Sequence, residues 1–405
     1  MSILKSPYFL LIPLFFAACG DGDNPVTPTT PVAEDLPSLS IEGGSTVEGN
    51  EGEKNFAFTI KVDGTYDRDI QVTYSTQDGS ALAGMDYTPI SETLTISSPA
   101  TSVDIQIPIV SDNLREGNEH FEVLLNNPNN ATISTAKARG LIQNDDTATN
   151  DSEEGYMTPD AYDLWKIKWA DEFNGESVDT DTWTFELGNG CDRGLCGWGN
   201  NELQQYTDSP ENVRIEDGRL VIEAKQEGTT SYSSTRMITQ DKQELRFGRI
   251  DIRAKLPKGQ GIWPAIWMLG ANIDDVGWPA CGEIDIMELV GHEPNKVHGT
   301  VHYGPPSPNN RFTGTSSTAP KGDFSDRFHV FSLVWHANQL YWYVDDFLYF
   351  EINPDRLGNE AYPFNNNFFF ILNVAVGGLW PGNPDETTVF PQRMEVDYIR
   401  VFERE

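Results

Sequence analysis

Apolar and polar residues alternate along most of the chain, in short runs that turn residues separate. Between residues 36 and 146 the clearest runs are residues 56–60 and 103–107. From about residue 162 to residue 405 the alternation returns, and Asp217-Gly218 between two such runs is typical of a β-hairpin. A period of two residues indicates strands. The pattern therefore predicts an all-β protein built from two antiparallel sandwiches.

The alternation stops in residues 147–161, which are polar and carry several carboxylates. A chain of 405 residues is too long for one compact core. We therefore predict a β-sandwich over residues 37–146, a linker over 147–161 and a second, larger domain over 162–405.

The N-terminus has the pattern of an export signal. Lys5 precedes an apolar stretch over residues 8–16, and Ala17-Ala18-Cys19 follows. The stretch is shorter than the roughly 20 residues of a membrane span. Small residues before a cysteine resemble a lipobox, which predicts removal of residues 1–18, lipidation of Cys19 and a polar tether over 19–36. We expect a lipid-anchored protein of the outer membrane or cell surface; the alternative is an ordinary cleaved signal and a secreted protein.

A formal net charge of −34 limits the possible partners. Nucleic acids and anionic membrane surfaces are bound through Lys and Arg clusters, so we expect neither. A neutral ligand, or a cation such as calcium, fits the charge better.

Three cysteines remain after Cys19, and an exported chain can pair at most two of them within itself. Cys191 and Cys196 enclose a short loop and are the first choice, but pairing of either one with Cys281 stays open.

Residues 281–289 (Cys-Gly-Glu-Ile-Asp-Ile-Met-Glu-Leu) carry the candidate chemistry. In a regular strand Glu283 and Asp285 point to one face, whereas Glu288 falls on the other. One extra residue at Met287, accommodated as a β-bulge, returns Glu288 to the acidic face. Like charges so close together predict a raised pKa for at least one of the three acids.

A retaining glycosidase needs this arrangement, with one carboxylate as nucleophile and one protonated carboxyl as general acid. The Cα atoms of Glu283 and Glu288 would lie roughly 13 Å apart. Their side chains can then close to the ~5–5.5 Å of a retaining enzyme.

Several aromatic and polar residues are candidates for binding sugar rings in a cleft beside these acids. Aromatic side chains cover the apolar faces of pyranose rings, and polar groups bind their hydroxyls. The candidates are Trp263, Trp278, Trp380, Asn201, Arg253 and His302. Trp267 is expected to pack inside.

The second domain resembles glycoside hydrolase family 16 of the laminarinase type. The resemblance rests on residues 169–175, 197–204, 262–269, 282–288, 298–304, 373–382 and 397–401. It implies a jelly-roll sandwich and retaining hydrolysis, with Glu283 as nucleophile, Asp285 as helper and Glu288 as acid/base. It further implies a structural calcium ion held by Glu172, the backbone of Gly218 and Asp397.

The first domain resembles a Calx-beta module, an immunoglobulin-like sandwich, in residues 47–49, 78–87, 112–121 and 142–146. Some such modules bind calcium at one end. The matching carboxylates are Glu48, Asp86, Asp112, Asp145 and Asp146. A metal-free spacer is an equal alternative.

Together these patterns predict an endo-glycosidase that hydrolyses a neutral β-1,3-glucan or mixed-linkage β-glucan without a cofactor for the chemistry. One alternative is a hydrolase of a galactan such as carrageenan, porphyran or agar. Another is a non-catalytic carbohydrate-binding surface protein, which would need the aromatics but not three acids on one strand.

Overall fold

The computed structural model describes residues 36–112, 117–146, 151–152, 154–159, 162 and 165–404. Cys19 and the proposed export signal lie outside these residues. Within the described ranges, no helix has the length and apolarity needed to cross a membrane.

The N-terminal module is a sandwich of two sheets. Its strands are β1 Ser38–Glu42, β2 Gly44–Val47, β3 Gly52–Asp63, β4 Ile70–Asp78, β5 Ser91–Ile96, β6 Ser102–Ser111, β7 Glu119–Asn129, β8 Thr132–Thr135 and β9 Lys137–Gln143. One sheet has the order β6-β3-β1-β8 and the other β2-β9-β7-β4-β5. Alternate residues such as Phe58, Ile60, Ile107 and Ile109 are fully buried between the sheets, as the period of two predicts.

A short β10–β11 pair, Asp151–Ser152 with Gly155–Tyr156, leads into the C-terminal domain. Its strands are β12 Trp165–Asp171, β13 Thr184–Phe185, β14 Gln204–Tyr206, β15 Val213–Glu216, β16 Arg219–Gln226, β17 Tyr232–Ser234, β18 Arg236–Ile238, β19 Glu244–Leu245, β20 Gly248–Lys255, β21 Ile262–Gly270, β22 Glu283–Glu288, β23 Lys296–Tyr303, β24 Arg311–Thr318, β25 His329–His336, β26 Gln339–Val344, β27 Phe347–Ile352, β28 Phe368–Val376 and β29 Gln392–Arg404. The helical segments of the described chain are one turn each: α1 Ile273–Val276 and 3-10 turns at Cys191–Arg193, Cys196–Gly199 and Pro354–Leu357.

Two large sheets form the C-terminal sandwich. An eight-stranded sheet carries the acidic segment, and we call it the site sheet; its order is β13-β18-β28-β21-β22-β23-β24, and β19 also pairs with β28. A ten-stranded sheet, which we call the opposite sheet, packs against it. Its order is β14-β17-β16-β29-β20-β25-β26-β27, with β12 also paired to β29 and β15 to β16. Ile266, Ile284 and Leu372 of the site sheet meet Leu333 and Trp342 of the opposite sheet in one fully buried core. The Asp217-Gly218 turn joins β15 and β16 as predicted.

Arg253 does not lie near the acids, which corrects the prediction that it binds substrate. It belongs to β20 of the opposite sheet, where Ile250, Ile252 and Ala254 point into the core and Arg253 therefore points away from it. Its side chain is 2% exposed, and the guanidinium group donates to Asp397 at 2.6 Å and to the carbonyl of Tyr156 at 2.7 Å. The position of β20 in the opposite sheet decides this placement.

Residues 154–158 lie against the outer face of the opposite sheet. The side chains of Tyr156 and Thr158 are buried, the Tyr156 N–H donates to the Phe328 carbonyl at 3.1 Å, and the Thr158 N–H donates to the Tyr398 hydroxyl at 3.1 Å. Part of the predicted linker is thus attached to the larger domain.

Of the three cysteines in the described chain, Cys191 and Cys196 form a disulfide and Cys281 is a buried free thiol. The pairing selects the first of the alternatives that the sequence left open.

Candidate active site

The acidic strand β22 lies between β21 and β23 and is bulged, as the sequence predicted. On β23, Thr300 pairs with Asp285 and His298 pairs with Glu288, so two residues of β22 face one residue of β23. Relative to β21 the extra residue is Ile286 rather than Met287, because Met287 pairs with Ile266. The bulge keeps both apolar residues in the core and returns Glu288 to the face that carries Glu283.

Indole N–H groups hold the two outer acids. Trp278 donates to Glu283 Oε2 at 2.7 Å, and Trp263 donates to Glu288 Oε1 at 3.1 Å. These two tryptophans, predicted as sugar platforms, therefore contact the acids directly. Because an indole N–H can only donate a hydrogen bond, each tryptophan holds its acid in place without taking a proton from it.

His302 lies between Asp285 and Glu283. Its Nε2 lies 3.5 Å from both Glu283 Oε1 and Asp285 Oδ2. One polar atom from each of the three side chains lies within 4.8 Å of the others, a spacing that would also suit a metal ion. A nucleophile and a neighbour that adjusts its protonation need the same proximity.

Trp263 also contacts Trp380, with ring centroids 5.5 Å apart and perpendicular rings, and Trp380 is 42% exposed. Asn201 is exposed. The next residue, Glu202, forms an isolated β-bridge with Gly377, which places Asn201 beside the turn that carries Trp380. The structure thus places these predicted residues at one side of the acids.

Trp267 is only partly buried and lies on the acid side of the site sheet, contrary to the expectation that it packs inside. Its indole donates to Asn373 Oδ1 at 2.8 Å, and the Arg236 guanidinium lies between Trp267 and Trp198, 4.8 and 4.6 Å from their ring centroids. Arg236 also pairs with Glu186. Positions 263, 265 and 267 share a face of β21 by alternation, and that signal could have placed Trp267 correctly.

Phe312 of β24 is a second residue that the sequence reasoning missed. It pairs with His302, its ring lies 5.8 Å from that imidazole, and it is 69% exposed. A single large apolar residue in a polar edge strand was the available signal.

The chain matches two family models. Residues 200–400 match the glycosyl hydrolases family 16, and residues 34–147 match the Calx-beta domain. A glucan endo-1,3-beta-glucosidase of Cryptopygus antarcticus is 40% identical over 259 residues, which are 59% of this chain and 93% of that protein. The chain belongs to family 16 of the glycosyl hydrolases.

Two further comparisons agree with this assignment. Glucan endo-1,3-beta-glucosidase A1 of Niallia circulans is 39% identical over 271 residues, 62% of this chain but only 40% of that longer protein. The catalytic domain of an endo-1,3-beta-glucanase (laminarinase) from Thermotoga petrophila RKU-1 superposes with a TM-score of 0.57 at 51% identity, covering 60% of this chain and 98% of that structure.

Burial and like charges set the protonation of the acids in this family 16 member. Burial, then Glu288 and then Glu283, raise the pKa of Asp285 well above its ordinary value. Burial and Glu283 raise the pKa of Glu288 to about 8, although the Trp263 N–H acts in the opposite direction. Glu288 is therefore protonated at neutral pH and can serve as a general acid.

The carboxylates expected to hold calcium in the C-terminal domain have guanidinium partners. Arg400 donates to both oxygens of Glu172, at 2.8 and 2.9 Å, and Asp397 accepts from Arg253. Arg219 lies 3.6 Å from the second oxygen of Asp397. These residues do not fit the predicted calcium site, because the charges of both carboxylates are already balanced.

The predicted acids of the module do lie together, and we call Glu48, Asp86, Asp112, Asp145 and Asp146 the acidic cluster. Glu48 is 4% exposed, and no hydrogen-bond donor contacts its carboxylate among the described residues. Burial and the four aspartates raise the pKa of Glu48 to about 8, and burial raises that of Asp86 to about 6. Asp146 Oδ2 is buried without a partner in the described chain. Oxygen ligands of this kind fit a hard cation such as calcium.

We predict an alkaline limb near pH 8 in kcat/KM for β-glycoside hydrolysis, because Glu288 loses its acidic proton as the pH rises through its pKa. With an aryl glycoside whose dinitrophenyl leaving group needs no proton, Glu288→Gln should retain measurable turnover and lack this limb. Glu176→Gln, at an exposed position, is the control and should keep the native profile. An unchanged limb in Glu288→Gln would show that another group titrates.

Proposed function

We propose that the chain is a retaining endo-β-1,3-glucanase that hydrolyses laminarin-like or mixed-linkage β-glucan. The observation that carries the proposal is the pair Glu283 and Glu288 on one bulged strand, each held by an indole N–H. The names of the similar Cryptopygus, Niallia and Thermotoga proteins support the substrate class.

The geometry suits a double displacement. Protonated Glu288 gives its proton to the glycosidic oxygen while the Glu283 carboxylate attacks the anomeric carbon, so the glycosidic bond breaks and a glycosyl ester forms. Glu288, now ionised, then takes a proton from water as that water attacks the same carbon and releases Glu283. Two inversions at one carbon retain its configuration.

Asp285 acts on the nucleophile rather than on the sugar. Its raised pKa keeps the carboxyl protonated, so it carries no charge between the two reacting acids and has a proton that it can donate. A second charge beside Glu283 would oppose the developing negative charge on the leaving carboxylate in the second step. We infer that Asp285 and His302 together set the position and charge of Glu283.

A neutral substrate fits the charges around the acids. Arg253 lies on the other sheet, and the guanidinium of Arg236 is already paired with Glu186 and covered by two indoles. A sulfated galactan would need unpaired cations at the site. The net charge of −34 would also repel a polyanion.

A carbohydrate-binding role without catalysis is the competing function. Such a protein would bind glucan through the exposed Trp380 and Phe312 but would gain nothing from a buried, protonated acid beside an indole-bound carboxylate. The raised pKa of Glu288 favours the enzyme.

We predict that the enzyme cleaves laminarin much faster than κ-carrageenan or agarose, with retention. Reducing-end assays give the rates, and proton NMR identifies the first anomer released. A faster rate on either galactan would contradict the substrate class, and an α-anomer appearing first would contradict the mechanism.

Glu283→Gln should lower turnover by at least about 10³-fold without unfolding the protein, whereas Glu176→Gln should leave turnover unchanged. Azide added to Glu283→Ala should restore turnover and give an α-glycosyl azide, because the anion attacks from the face that the nucleophile has vacated.

We further propose that the acidic cluster of the module binds calcium. Calcium should raise the unfolding temperature of the full chain, because a ligand that binds only the folded state stabilises it, by about 2.7 kcal/mol at 100 times its Kd. Asp86→Asn should remove the shift seen on chelation, and Asp63→Asn, an exposed acid at the other end of β3, should keep it. If calcium does not change the unfolding temperature of the native chain, the proposed calcium site is wrong.

We also propose that Cys19 is lipidated and holds the protein at the outer membrane or cell surface; the short apolar run before Ala17-Ala18 supports this. Cys19→Ala should move the protein from the membrane fraction to the soluble fraction and abolish labelling by an acyl probe. Soluble native protein without acyl label would indicate secretion instead.

A further inference from the structure

The acidic end of the N-terminal module lies against the outer face of the opposite sheet. A Cβ added to Gly117 would come within 2.8 Å of the backbone at Asp346 and Leu348 of the larger domain. His120 of the module lies 3.7 Å from Glu351, and Arg139 lies 3.5 Å from the same carboxylate. The two domains therefore meet at close range.

Residues 78–87, which we call the clamp loop, make the apolar part of this contact. Leu82 is 5% exposed and packs with Trp165 and Phe402 of the larger domain. Met85 lies beside them, and the Trp165 indole N–H points at its sulfur, 3.1 Å away. Burying these side chains removes apolar surface from water and therefore favours the docked arrangement.

A shared carboxylate forms the polar part. Asp78 accepts from the Ala83 N–H at 2.8 Å and from the Tyr87 hydroxyl at 2.6 Å, which fixes the shape of the clamp loop. Its other oxygen accepts from Arg404, at the end of β29, at 3.0 Å. Arg404 also donates to the Ala83 carbonyl. The last strand of the larger domain is thus tied to the same loop.

The clamp loop also ends in the acidic cluster. Asp86 is 9% exposed, and one of its oxygens accepts from the Leu82 N–H at 2.5 Å. The residue that packs on Trp165 is therefore held by a carboxylate that faces Glu48 and Asp112. Without a cation these carboxyl groups repel one another wherever two of them are ionised, and movement of Asp86 would shift Leu82.

We propose that cation occupancy of the acidic cluster sets how firmly the module docks on the catalytic sandwich, with the clamp loop as the connection. The inference rests on the proposed calcium site. A bound cation fixes Asp86, Asp86 fixes Leu82, and Leu82 with Arg404 fixes the outer face of the opposite sheet. Because coupling between two events is reciprocal, docking must tighten cation binding by the same factor.

The test compares the full native chain with Arg404→Ala and Leu82→Ala. Calcium affinity is measured by calorimetry, and amide hydrogen exchange is followed in β12 and the end of β29, with and without calcium. In the native chain calcium should slow exchange there. Each variant should lose that protection and bind calcium about tenfold more weakly, within the usual range for coupled sites. Arg393→Ala, on the same strand but paired with Glu223, is the control and should behave as native.

The sign of the Arg404→Ala effect separates coupling from simple electrostatics. Removing a positive charge near an acidic cluster should by itself tighten calcium binding, whereas the clamp requires weaker binding. Native-like or tighter calcium binding by both variants, with unchanged protection of β12, would overturn the inference and leave the calcium site intact. If the native chain binds no calcium, both the proposed calcium site and the proposed coupling to docking are wrong.

Discussion

Like charges packed on one strand are the constraint on which this site depends. Glu283, Asp285 and Glu288 are brought to one face by the bulge at Ile286, and the surrounding core removes water from two of them. Burial makes ionised carboxylates costly here, and three of them in that space would also repel one another, so the protein keeps protons on Asp285 and Glu288. The burial and repulsion that oppose folding thus also supply the acid that the chemistry needs.

The rest of the sandwich holds this strained arrangement in place. Ile284 and Met287 anchor the bulged strand in the core, and the Trp342 indole of the opposite sheet donates to the Asp285 carbonyl at 2.8 Å. The outer acids are restrained by Trp263 and Trp278. A rigid frame matters because a shift of about 1 Å in a reacting group can cost a hundredfold in rate.

The sequence alone predicted the structure correctly where the feature depends on neighbouring residues. The period of two, the Asp217-Gly218 turn and the need for a bulge before Glu288 all depend on neighbouring residues, and the structure confirms them. Arg253 and Glu172 were misjudged for a different reason. Their roles depend on which sheet β20 joins and on which arginines reach the carboxylates across 144 and 228 residues of chain. The two faces of a strand can be told apart from alternation, but only the assembled sheets show which face meets the substrate.

The strap formed by residues 154–158 determines where the catalytic unit begins. Tyr156 donates its hydroxyl to Asp346 and offers its carbonyl to Arg253, and Arg249 also pairs with Asp346. A fragment that began at residue 162 would lack residues 154–158. It would therefore expose this buried set of charges, and the part of the opposite sheet that these residues cover, to water. Although family resemblance marks the start of the enzyme at the first catalytic-domain motif, the packed structure of the larger domain extends upstream into what sequence alone describes as a connector.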